Sequence, residues 1–178
     1  MRALVRAFLL VLLIAFLAGA WQARHPPPPR GARDRAAASF QATAVERTRP
    51  TRPPAELVSV RTARRSGYDR VLFTFRGGMP GYRVRYVAAV RDEADRPLAL
   101  RGGSFLAVAF EPALARAPGG ASTFDAHTIT TDYPRLRQVR FAGDFEGRVS
   151  FGIGVAGRGG FRVTELTAPN RVAVDVRG

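Results

Sequence analysis

Four groups of residues in this 178-residue chain have types and spacings that could do chemistry. Asp144 and Glu146 stand two apart, so an extended segment would place both carboxyls on one face at roughly 7 Å. That separation overlaps the range used by paired carboxylates in glycoside hydrolysis. A glycan hydrolase using Asp144 and Glu146 is therefore one reading. Gly143 and Gly147 bracket the pair, which favours a turn carrying two solvated acids. Ser122, Asp125 and His127 supply the residue types of a nucleophilic triad. No G-x-S-x-G surrounds the serine, and a triad is assembled by the fold rather than by proximity in sequence, so a loop histidine is the preferred reading. Arg83, Arg85 and Arg148 fall on the outward rows of alternating segments, with Ser150, Gly152 and Gly154 beside them. Such a face could admit a flat anionic polymer, because guanidinium binds carboxylate or phosphate in bidentate fashion. The competing reading gives the glycines to sheet packing and the arginines to solubility. Asp69-Arg70 opens another alternating segment, either as a polar contact to ligand or as an ordinary strand-edge charge pair or turn cap.

Composition narrows the chemistry further. Cysteine is absent, which excludes disulfides, a thiol nucleophile, cysteine zinc sites and iron–sulfur clusters. His25 and His127 are the only histidines, and there is no lysine for a Schiff base or a P-loop. Neither a metal nor a cofactor is expected. All 28 basic residues are arginine against 14 acids, a net charge of +14. Ala, Arg, Gly and Pro make about half the chain, and all four have GC-rich codons, so codon bias explains much of the basicity before any ligand does. No nucleic-acid partner is expected, because the aromatics sit on apolar rows instead of interleaving with the bases. Tyr68, Tyr82 and Tyr86 accordingly read as core or rim residues.

The elements that must position these residues are strands. Val71, Phe73 and Phe75 alternate with Leu72, Thr74 and Arg76; Tyr82, Val84 and Tyr86 with Arg83 and Arg85; Val149, Phe151, Ile153 and Val155 with Ser150, Gly152 and Gly154; Val172, Val174 and Val176 with Ala173 and Asp175. Period two sends one row inward and the other out. Less regular strands fit 57–63, 98–101, 105–110, 136–142 and 161–166, with Gly- or Pro-containing turns between them. Eight or nine strands and no convincing helix predict an all-β, compact antiparallel β-sandwich over residues 57–177. Residues 118–134 lack the alternation and read as a surface loop.

Upstream, Arg2 and Arg6 precede an apolar run that ends at Ala18-Gly19-Ala20. This is the plan of a secretory signal peptide over residues 1–20, cleaved after Ala20. The rival is an uncleaved membrane anchor, although the 15 residues from Ala7 to Trp21 are fewer than the roughly 20 that a span needs. Residues 21–56 are rich in Pro, Arg and Ala and poor in large apolar groups. They read as a disordered linker.

Taken in order, four stretches carry a resemblance. They are Gly67-Tyr68-Asp69-Arg70-Val71-Leu72-Phe73-Thr74-Phe75 leading into Gly78-Met79-Pro80-Gly81-Tyr82-Arg83-Val84-Arg85-Tyr86; then Gly143-Asp144-Phe145-Glu146-Gly147-Arg148-Val149 with Phe151-Gly152-Ile153-Gly154-Val155; then Phe161-Arg162-Val163-Thr164-Glu165-Leu166; then Pro169-Asn170-Arg171-Val172-Ala173-Val174-Asp175-Val176. The chain resembles the AMIN-like domain of exported proteins and lipoproteins in high-GC Gram-positive bacteria. That resemblance implies a β-sandwich and a non-catalytic envelope module, exported to the cell envelope or beyond. The implied partner is peptidoglycan, another anionic wall polymer or an envelope protein. Unlike the lipoproteins it has Ala20 where their lipid-bearing cysteine would stand.

Overall fold

The alternating rows become strands in the structure, a computed structural model that describes residues 39–50 and 52–178. The expected signal peptide and residues 21–38 of the expected linker lie outside the described residues. In chain order the strands are β1 (Val45–Arg47), β2 (Ala55–Arg65), β3 (Tyr68–Arg76), β4 (Gly81–Val87), β5 (Ser104–Glu111), β6 (Ala113–Leu114), β7 (Thr128–Thr130), β8 (Leu136–Phe145), β9 (Arg148–Val155), β10 (Phe161–Leu166) and β11 (Asn170–Val176). Among the described residues there is no helix. One sheet runs β1-β4-β5-β9-β8-β7 and the other β10-β11-β3-β2-β6. Every pairing is antiparallel except the short β2–β6 contact. The expected all-β sandwich is the fold.

The core lies between the inner rows. Val71, Phe73 and Phe75 of β3 face Val84, Leu106, Phe110 and Phe151 of the other sheet, all buried. Phe73 sits with its ring centroid 4.8 Å from Phe110 and 5.0 Å from Phe151. Such tilted pairs add to the free energy of apolar burial.

Three local expectations need correction. First, part of the predicted linker is built into the fold. Gln41 exchanges backbone hydrogen bonds with Phe161 at the β10 edge, and β1 pairs with β4 at the edge of the other sheet. The segment therefore straps one sheet to the other. Phe40 anchors it between two guanidiniums, 4.6 Å from Arg162 and 4.4 Å from Arg177, as cation–π contacts. Arg49 adds an ion pair to Glu165 at 2.7 Å. These are non-local contacts, invisible to a composition argument.

Second, residues 118–134 are not simply a loop. They contain β7 and send Phe124 into the core at 6% exposure.

Third, residues 98–101 are not a strand. They are the return arm of the β4–β5 connection, which folds back as a ridge across the outer face of β9 and β8. Val90 accepts a backbone hydrogen bond from Leu98, and a bridge joins Arg91 to Pro97. The ridge is seated by glycine. A Cβ on Gly152 would lie 2.6 Å from the Leu100 side chain, and one on Gly154 would strike the Arg101 carbonyl.

Candidate functional site

Strand register decides what shares the outer face of the six-stranded sheet. Arg83 is opposite Ala109, which is opposite Ser150; Arg85 is opposite Ala107, which is opposite Gly152, which is opposite Arg140. The outward residues in the middle of β5 and β9, Ala107, Ala109, Ser150 and Gly152, are small, so the long arginines of β4 border a shallow floor. Arg148, at the first position of β9, closes one end, and Arg91 on the ridge forms the far wall. The resulting trough has a volume of about 250 Å³, with four arginines and no acidic residue in its lining. The structure thus brings together Arg83, Arg85 and Arg148, which sequence had placed only on separate outward rows. Gly152 and Gly154 are not open floor, because the chain's own ridge covers them. Arg91 was missed. It lies in no alternating segment and reaches the site only through the ridge.

The guanidiniums differ in how far they are engaged. Arg83 donates through Nε and Nη2 to the two carboxylate oxygens of Glu46 on β1, at 2.9 and 2.8 Å. That hydrogen-bonded pairing holds the Glu46 carboxyl below its ordinary range and raises the Arg83 guanidinium. Arg148 is 3.7 Å from Glu111, and Arg91 is 3.5 Å from Asp95. Arg85 pairs with no carboxylate among the described residues. Each of the three pairs is exposed to water and exchanges at little cost. The trough can therefore accept a carboxylate or phosphate on Arg85 at once and on Arg148 or Arg83 by exchange. A neighbouring hollow beside β1 has Glu46 and Glu111 in its wall as well as arginine, which makes it a poorer place for an anion.

The other candidate residues are occupied elsewhere. Asp69 and Arg70 lie on β3 in the opposite sheet. Asp69 is buried and accepts the backbone N–H groups of Arg135 and Leu136 at 2.7 and 2.9 Å. Arg70 donates to both oxygens of Asp175 at 2.6 and 2.9 Å. Asp144 and Glu146 do not share a strand face. Glu146 and Gly147 have φ of 51° and 78° and make the two-residue turn between β8 and β9, as type I′ hairpin geometry requires. Asp144 accepts the Ala115 N–H at 2.7 Å. The extended segment that paired-carboxylate chemistry requires is absent there. Ser122 donates to the Phe124 carbonyl at 2.6 Å, and the His127 ring stacks on Phe124 at 4.6 Å. No triad is assembled from Ser122, Asp125 and His127. Among the described residues there is no cluster of metal-ligating side chains.

A β-sandwich presenting an open cationic trough on one sheet face has the build of a binding module. The chain belongs to the AMIN-like domain family, whose model matches residues 55–178. Membership suggests a non-catalytic module associated with the cell wall. The strap that carries Glu46 lies before the matched region. A comparison with curated proteins gives no match.

Proposed function

We propose that this protein is an exported cell-envelope module that holds an anionic wall polymer, peptidoglycan or one like it, in the trough formed by Arg83, Arg85, Arg91 and Arg148. An acidic surface of an envelope protein is the second kind of partner that this chemistry admits. The observation that carries the reading is the convergence of four guanidiniums over a floor of Ala107, Ala109 and Ser150, with no acid in the lining. Export rests on the signal-peptide plan of residues 1–20, and residence of the whole chain in the cytoplasm would sink it.

The test is association of the full chain with purified sacculi. Arg85→Ala with Arg148→Ala should weaken it about tenfold, since two exposed charge-assisted contacts of roughly 0.5–1 kcal/mol each sum to that factor. Arg83 is the poorer choice, because its removal bares Glu46 and adds repulsion. Binding should fall as salt rises, with screening over about 10 Å at 0.1 M. Asp144→Asn with Glu146→Gln should leave association unchanged. If the wild-type chain instead releases soluble fragments from sacculi, and that double variant abolishes the release, the protein is a hydrolase.

A further inference from the structure

The ridge over Gly152 divides the outer sheet face into two basic hollows. On the far side from the trough, Arg140 and Arg101 line a hollow with Gln138 and Thr128, of about 500 Å³. It continues past Arg101 to Arg137. None of Arg101, Arg137 and Arg140 pairs with a carboxylate among the described residues. Gln138 is buried and shapes the hollow, accepting the Arg101 N–H at 3.1 Å and donating to Thr130 at 3.0 Å. Arg140 donates one Nη1 hydrogen bond to the Ala99 carbonyl at 2.6 Å, which aims it along the ridge. Asp132 is the one acid in the lining of either hollow on this side, at the Arg137 end. Two of the ridge's three acids are paired within it, and the third, Glu93, lies 3.9 Å from Arg116. Arg96 pairs with Asp92 at 2.8 Å and Arg91 with Asp95, while the Glu93 carboxylate accepts the Asp144 N–H.

Arg85 and Arg140 stand in one register row, three strand steps apart across β4, β5, β9 and β8. At about 4.8 Å per step their backbones are roughly 14 Å apart. A small anion can satisfy only one hollow. We propose that the ligand is a polyanionic chain with repeated carboxylates or phosphates, which crosses the ridge and occupies both hollows, with Arg101 and Arg140 as a second subsite. This rests on the trough being an anion site. It adds that the site reads chain length, because the second contact becomes intramolecular once the chain can span the ridge.

The experiment is titration of the full chain with an oligoglutamate ladder at low salt. An extended chain covers about 3.3–3.6 Å per residue, so about four to six residues reach from one hollow to the other. Affinity is expected to step up roughly tenfold or more at that length, beyond the increase expected from added charge. Arg101→Ala should abolish the step, while diglutamate still binds through Arg85 and Arg148 of the trough. Arg140→Gln, which keeps a donor to Ala99, should do the same if the ridge keeps its place. Arg61→Ala, on the outer face of the other sheet, should change neither. Diglutamate binding without a step overturns the second subsite and leaves the trough reading standing. A step lost equally in Arg61→Ala means undirected charge and also overturns the proposal. No binding at any length, with wild-type and variants alike, removes the trough reading and this proposal together. A matching ladder of linear oligophosphates tells which anion is preferred.

Discussion

Phe73→Ala is expected to cost the fold roughly 3–5 kcal/mol. Phe73 is fully buried on the inner row of β3 and packs on Phe110 and Phe151 of the opposite sheet. Its removal takes away apolar burial and leaves a void between two sheets that the strand ladders prevent from collapsing. A domain stable by about 5–15 kcal/mol would lose about a fifth or more of its margin. Denaturant unfolding of wild type and variant measures the difference. A loss within about 0.5 kcal/mol would mean that the inner and outer faces of β3 are reversed.

Asp175→Ala is expected to cost almost as much, roughly 2–4 kcal/mol, by a different route. The carboxylate is fully buried on the outer row of β11 and is held by Arg70 and by Arg162, the latter at 2.7 Å. The two guanidiniums keep about a fifth of their surface exposed. Deleting the anion leaves two cations facing each other in a partly desolvated place, with only water on their open sides to compensate. The contrast is Glu56→Ala. Its partner Arg76 is 70% exposed, and the loss there should stay within about 0.5 kcal/mol, as for other solvated pairs. Equal losses at Asp175 and Glu56 in the same denaturant experiment would contradict this ranking by burial.

The strands that the sequence made legible are those whose alternation is strong. In β3, β4 and β9 large apolar residues take every second position; burial follows that row in β3 and β4, while in β9 the ridge buries Gly152 and Gly154 as well. What escaped notice depends on partners distant in sequence. Val45–Arg47 is three residues long in a Pro- and Arg-rich context. It becomes a strand because β4 offers it a free edge and Phe40 finds two arginines to stack on. The glycines of β9 did mark a close approach, but what approaches is the chain's own Leu100 and Arg101. The same ridge delivers Arg91 to the trough, so the fourth guanidinium could not be read from its neighbours. Asp69 and Arg70 were visible as a charged pair at a strand start. Only the fold shows that Asp69 caps two amides at the start of β8 and that Arg70 serves Asp175.

The most direct test of the central claim sets the sheet face against the arginine-rich N-terminal stretch as the source of wall binding. The measurement is cosedimentation with purified sacculi of two full-length variants across a salt series. One carries Arg24, Arg30, Arg33 and Arg35 replaced by Gln; the other carries Arg85→Ala with Arg148→Ala. The account predicts that the first binds within about twofold of wild type, while the second loses about tenfold at low salt. The opposite result, with binding lost from the first and kept by the second, would show that the trough is not the site.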